Sequence, residues 1–190
     1  MNMKDKIILQ ICNALTKNEI NVAKKIVEMG YPHQPLIPAG RSYTKKQSIK
    51  IFIRDGFIDR YSGKKLIFPP VLKVISNMMP DLFPYQKNWK MTECHIAYWQ
   101  LFPTIDHIIP IARGGEDNDT NYVSTSMLRN SAKSNWLLEE LGWDLYPPGS
   151  FEEWDGLVHW FLEYAKSHPD ILKDQYIYKW HKAVMGIIKL

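Results

Sequence analysis

Apolar residues recur at helical spacing near the start of the chain: Ile7, Ile8, Ile11 and Leu15, then Ile20, Ala23, Ile26 and Val27. That period predicts one or two helices over residues 4–30, broken at Lys17-Asn18 and stopped by Gly30. Tyr31 to Arg41 carries Pro32, Pro35, Pro38 and Gly40 and reads as a linker. Lys45, Lys46 and Lys50 then lead into Ile51-Phe52-Ile53, and their first reading is a solvated helix surface. Lys64 to Pro70 reads as a strand end and a turn, and Val71 to Met79 as a short helix. The period changes at Thr104 to Ile109, a short β-rich run whose extension Pro110 blocks. Pro110 to Thr120 reads as a loop and Asn121-Tyr122-Val123 as a return strand. Ser124 or Thr125 is placed to cap a helix running to about Leu141, where Gly142 supplies a stop. After the break at Pro147-Pro148-Gly149, an apolar stripe from Phe151 to Leu162 predicts a helix over 151–166. Asp170 is placed to cap a last helix through Ile177, Trp180, Val184 and Ile187. The class predicted is α+β, with an N-terminal helical segment over 1–50, a core over 51–142 and a C-terminal helical extension over 143–190.

Composition narrows the picture. A hydrophobic content of 45% with seven Trp suffices for a sizeable core. The formal charge of +4 permits a nucleic-acid partner without demanding one. No apolar run approaches bilayer length, and the N-terminus lacks the apolar core of a signal peptide, so a cytoplasmic protein without a membrane partner is expected. Cys12 and Cys94 are far apart, which argues against a disulfide framework and excludes a four-cysteine zinc site. Cys94-His95 has no second pair nearby to complete a metal site. The aromatic stretch from Pro80 to Trp99 is suited either to covering the core or to meeting nucleic-acid bases.

Candidate chemistry is concentrated between Ile105 and Lys133. Hard divalent cations take oxygen ligands, which Asp106 and Asn130 offer. A water attacking a phosphodiester needs a base, which His107 offers. Asp106 and His107 are neighbours, so a regular strand points them to opposite faces, and sharing one site requires a twist, a bulge or action through the backbone. Ser126, Asn130 and Lys133 fall on one face of the predicted helix. Arg113 and Arg129 are candidates to hold phosphate. The acidic run Glu116, Asp117 and Asp119 reads as a solvated loop.

Taken in register, Asp106-His107-Ile108-Ile109-Pro110, Gly114-Gly115, Asn121, Asn130 and Lys133 resemble the motif of the HNH, or ββα-metal, endonuclease family. The resemblance implies a strand–loop–strand–helix nuclease core with N-terminal helices and a C-terminal helical pair. It implies His107 as general base and Asp106 and Asn130 as ligands of a single Mg²⁺ or Mn²⁺. Asn121 joins the catalytic set as the residue that bonds backbone to hold the loop and His107, and Lys133 is expected near the substrate strand. Many members open the module with Arg-Asp-Gly-Phe, present here as Arg54-Asp55-Gly56-Phe57, followed by a zinc knuckle. Asp59, Ser62, Ser126 and Arg129 stand where its four cysteines would be. Losing all four together is self-consistent, so structural zinc is not expected and packing and hydrogen bonds must hold the module. The substrate expected is double-stranded DNA, with a homodimer suited to symmetric cutting and a restriction or defence setting among the possible roles. The alternatives are a non-catalytic DNA-binding module of the same fold and an RNA-directed or toxin-type nuclease.

Overall fold

The computed structural model describes residues 3–35 and 43–188, in two compact units that meet in sequence between Ile37 and Pro38. The first unit is a helical hairpin. Helix α1 (Met3–Thr16) and helix α2 (Ile20–Gly30) are joined through Asn18, whose φ of 60° turns the chain where the break at Lys17-Asn18 was expected. The small residues Ala14 and Ala23 are buried, and Gly30 lies against Ile7, so the helices run antiparallel. Residues 31–35 have no regular structure, and the rest of the expected linker lies outside the described residues.

The second unit begins with α3 (Lys45–Arg54), which spans the boundary expected at residue 50. Thr44 and Gln47 form a reciprocal capping box at its start. Of the expected solvated lysines, Lys45 instead stands over the Trp180 ring, 4.5 Å from its centroid. Pro69 and Pro70 open α4 (Pro69–Met78), where missing N–H groups cost nothing. Turns then lead to the short helix α5 (Ala97–Gln100), strand β1 (Pro103–His107) and strand β2 (Tyr122–Ser126). The two strands pair antiparallel and without a bulge, Asp106 opposite Val123 and His107 opposite Tyr122.

Helix α6 (Met127–Lys133) is capped by Ser126, not by Ser124 or Thr125, because β2 runs on to Ser126. The single helix expected to reach Leu141 breaks at Ser134, which adopts φ 47°. A second short helix, α7 (Leu138–Leu141), ends at Gly142 in the left-handed conformation, as the glycine predicted. The helix expected from Phe151 starts only at Val158, as α8 (Val158–Ser167). Gly156 and Leu157 both take positive φ there, and the Asp155 carboxylate accepts from the N–H groups of Leu157 and His159. Pro169–Lys173 forms a 3₁₀ turn, so Asp174, not Asp170, caps α9 (Gln175–Met185).

The C-terminal helices are part of the core. Phe161 and Leu162 from α8 and Ile177, Trp180 and Val184 from α9 pack with Phe52, Phe57, Phe68 and Val71. The aromatic stretch builds a second cluster around Leu72, Cys94, Ala97 and Tyr98, joined by Phe83, Tyr85, Trp89 and Phe102. It therefore covers the core, and Cys94 is buried within it. His95 stacks on Phe83 at 4.0 Å, and its Nδ1 accepts from the Ala97 N–H. Among the described residues, no helix is long and apolar enough to cross a membrane.

Candidate active site

The outer edge of β2 is where the expected knuckle positions meet. A two-stranded sheet leaves one row of N–H groups on β2 unpaired, and these need acceptors. Two buried carboxylates supply them. Asp55 Oδ2 accepts from the Ser124 N–H at 2.7 Å, and Asp59 Oδ2 from the Ser126 N–H at 3.0 Å. Asp59 Oδ1 also accepts from the Tyr61 N–H and the Thr125 hydroxyl, both at 2.9 Å. Asp55 Oδ1 takes the guanidinium groups of Arg54 and Arg60. Asp59, Ser62, Ser126 and Arg129 line one cleft of about 510 Å³. Asp59 thus ties the 59–63 turn to the junction of β2 and α6 by hydrogen bonds.

The strand β1 carries Asp106 and His107 to opposite faces, as a regular strand must. On the first face, Asp106 Oδ2 accepts from the Tyr61 hydroxyl at 2.7 Å and pairs with Lys133 Nζ at 2.9 Å. Burial and the adjacent Asp106 charge push the Tyr61 phenol well above its ordinary range, so it stays a donor. Lys133 was expected near a substrate strand. It is instead wholly buried, and its Nζ also donates to the His107 carbonyl at 2.7 Å. A buried ammonium needs such partners, and the same contacts lock the end of β1 to α6.

Asn130 lies one turn before Lys133 on α6. Its Nδ2 donates to Thr104 Oγ1 at 2.9 Å and to the Ile105 carbonyl at 3.2 Å. A carbonyl only accepts, so the amide nitrogen must face the strand and Oδ1 is turned the other way. Among the described residues, no hydrogen bond reaches Oδ1 of either Asn130 or Asp106. One carboxylate oxygen and one amide oxygen suit a hard cation that keeps water in its shell, so the donor chemistry fits Mg²⁺ or Mn²⁺. Among the described residues no group of three or more His, Cys, Asp or Glu gathers at one point.

On the second face, His107 Nε2 lies 2.8 Å from Asp117 Oδ1, and its ring meets the Tyr122 ring edge-on at 4.9 Å. His107 is 1% exposed. The Asn121 side chain holds the loop between the strands with three bonds. Its Oδ1 accepts from the Ile109 N–H, and its Nδ2 donates to the carbonyls of Ile109 and Glu116, all at 2.8–2.9 Å. This is the backbone-bonding role expected of Asn121. Gly115 sits against the Ile109 carbonyl, where any Cβ would collide.

Neither arginine touches Asp106, His107 or Asn130 among the described residues. Arg113 pairs with Glu140 on α7 at 2.9 Å. Arg129 stacks over Trp143, 4.6 Å from the ring centroid, at the cleft that Asp59 also lines. Tyr61, Asp117 and Tyr122 were not singled out as site residues by the sequence. The acidic run has the pattern of a solvated loop, and the Asp117 side chain is more than half exposed, but one of its oxygens faces the imidazole. The structure thus gathers Asp106, Asn130 and Lys133 on one face of β1 and puts the His107 ring on the other. With no bulge in the strand, His107 is linked to the first face through its backbone carbonyl, which accepts from Lys133, and Asn121 closes the adjacent loop. No family model matches the chain, and no curated protein or solved structure matches it.

Proposed function

We propose that this chain is a metal-dependent endonuclease of the HNH type that hydrolyses phosphodiester bonds in double-stranded DNA. The observation that carries the reading is the strand β1 itself, with Asp106 and His107 adjacent at its end and Asn130 fixed beside it from α6. Asp106 and Asn130 would hold Mg²⁺ or Mn²⁺ through their Oδ1 atoms. When bound, the ion supplies positive charge to the scissile phosphate and the departing oxygen. His107 takes a proton from the attacking water. Lys133 and Tyr61 fix the Asp106 carboxylate, so its remaining oxygen is presented in one orientation. Asn121 holds the loop that covers His107. Of the two arginines, Arg129 would be the one to meet a phosphate, its guanidinium being stacked over Trp143 at the cleft that Asp59 also lines. Arg113 is committed to Glu140. The setting we propose is restriction or defence, with two copies cutting opposite strands.

Two observations favour a second reading, a non-catalytic DNA-binding module. Lys133 already neutralises Asp106, and His107 is closed off from solvent. Incubation of supercoiled plasmid with the protein separates the two. Nicking that needs Mg²⁺ or Mn²⁺ and stops with EDTA supports the nuclease. DNA binding without cleavage under any of these metals supports the module. An RNA substrate run alongside tests the toxin-type alternative, which requires RNA to be cut in preference to DNA.

A further inference from the structure

The acidic loop between the strands holds one carboxylate that touches the base. Asp117 Oδ1 lies 2.8 Å from His107 Nε2 and accepts from the Tyr122 hydroxyl at 2.7 Å. Tyr122 stands directly opposite His107 in the strand register, so ring and hydroxyl both belong to this face. The loop delivers Asp117 through its neighbour: Asn121 Nδ2 binds the Glu116 carbonyl at 2.8 Å, one residue before it. The turn at Gly114, with φ 89°, and the close approach of Gly115 to Ile109 bring the chain back to that point.

A carboxylate has no proton to give, so the hydrogen between Asp117 and His107 sits on Nε2. Neutral imidazole carries one N–H and one lone pair, and the lone pair is then on Nδ1. We infer that Asp117 is a positioning residue for His107, holding it as the Nε2–H tautomer so that Nδ1 is the nitrogen that takes the proton from water. In that step the water O–H bond breaks, its proton passes to Nδ1, and the oxygen attacks phosphorus. The resulting imidazolium keeps its Nε2–H against Asp117, which stabilises the charge without itself being protonated. Asn121 places Asp117 as well as the backbone. This inference rests on the nuclease reading for the proton transfer, but the tautomer is observable without any cleavage.

The test pairs imidazole ¹⁵N NMR of His107 with single-turnover cleavage of plasmid, for the wild type, Asp117→Ala and Asp117→Asn. The wild type is expected to show a protonated Nε2 and a lone-pair Nδ1. Asp117→Asn, whose amide can donate as well as accept, is expected to lose that preference. Both variants should keep the wild-type fold by circular dichroism. Their cleavage rate should fall roughly 10–100-fold with substrate affinity unchanged, the range for loss of an orienting partner. A wild type with the proton on Nδ1, or a tautomer unchanged in both variants, overturns the inference. A wild type that shows the expected tautomer and its loss in Asp117→Asn, yet cuts nothing, supports the Asp117–His107 pairing and overturns the nuclease reading instead.

Discussion

The two strands face carboxylates on both sides, and the two pairs are used differently. Along the outer edge of β2, Asp55 and Asp59 are buried, and half of their donors are backbone N–H groups, the rest being the Thr125 hydroxyl and the permanently charged guanidinium groups of Arg54 and Arg60. Along β1 and its loop, Asp106 and Asp117 accept from side chains that carry or move protons: Tyr61 and Lys133 on one, His107 and Tyr122 on the other. A carboxylate held by main chain completes a fold, because those donors have no alternative once buried. A carboxylate held by an ammonium or an imidazole fixes the orientation and charge of groups that can react. The difference lies in the donors, since both sets include nearly inaccessible acids.

Substitutions sharpen that contrast. Asp59→Ala removes three bonds to a charged acceptor, each worth about 1.5–3 kcal/mol, and should cost at least about 4.5 kcal/mol in chemical denaturation. A loss below about 1 kcal/mol would mean that water replaces the staple at little cost and that packing alone holds the 59–63 turn. Lys133→Met keeps the volume but strands Asp106, and should cost about 3 kcal/mol. It should also perturb turnover, which Asp59→Ala should spare when assayed well below its melting point. Equal effects of the two on turnover would erase the distinction between staple and site.

The smallest effect concerns pH. Burial, and then the bond to Asp117, push the Tyr122 phenol up to about 12. Between its ordinary value near 10 and about 12, the unfolded chain gives up this proton and the folded chain keeps it. The stability that the phenol contributes is complete below about pH 10 and is lost as pH rises toward 12. Tyr122→Phe should therefore flatten the fall in stability across that window. The same variant should cost about 1 kcal/mol at neutral pH, from the lost hydroxyl bond. An identical alkaline slope in both proteins would show that Asp117 does not hold the phenol.

Legibility in the sequence followed the same division. The helical hairpin, the strand–loop–strand–helix order and the backbone role of Asn121 were all readable, because periodicity, Gly and Asn report local geometry. The break at Ser134 was not, since serine has no particular claim on positive φ and the helical period continues past it. The late start of α8 was signalled by Asp155-Gly156, a turn dipeptide inside an apolar stripe that outweighed it. The buried charges were the largest gap. Asp55, Asp59 and Lys133 look like surface residues in any one-dimensional pattern, because their partners come from distant segments. Asp117 was missed for the same reason. Its contact with His107 depends on a loop returning on itself, which spacing along the chain does not reveal.

The central claim is that His107 is the base of a nuclease, and the direct measurement is the plasmid-nicking rate of His107→Ala beside the wild type, with the melting temperature of each. Losing a buried imidazole should lower the melting temperature by a few degrees and leave the protein folded at assay temperature. The account predicts metal-dependent nicking by the wild type and a rate roughly 10²–10⁴-fold lower in the variant. Nicking at the same rate in both proteins would contradict it.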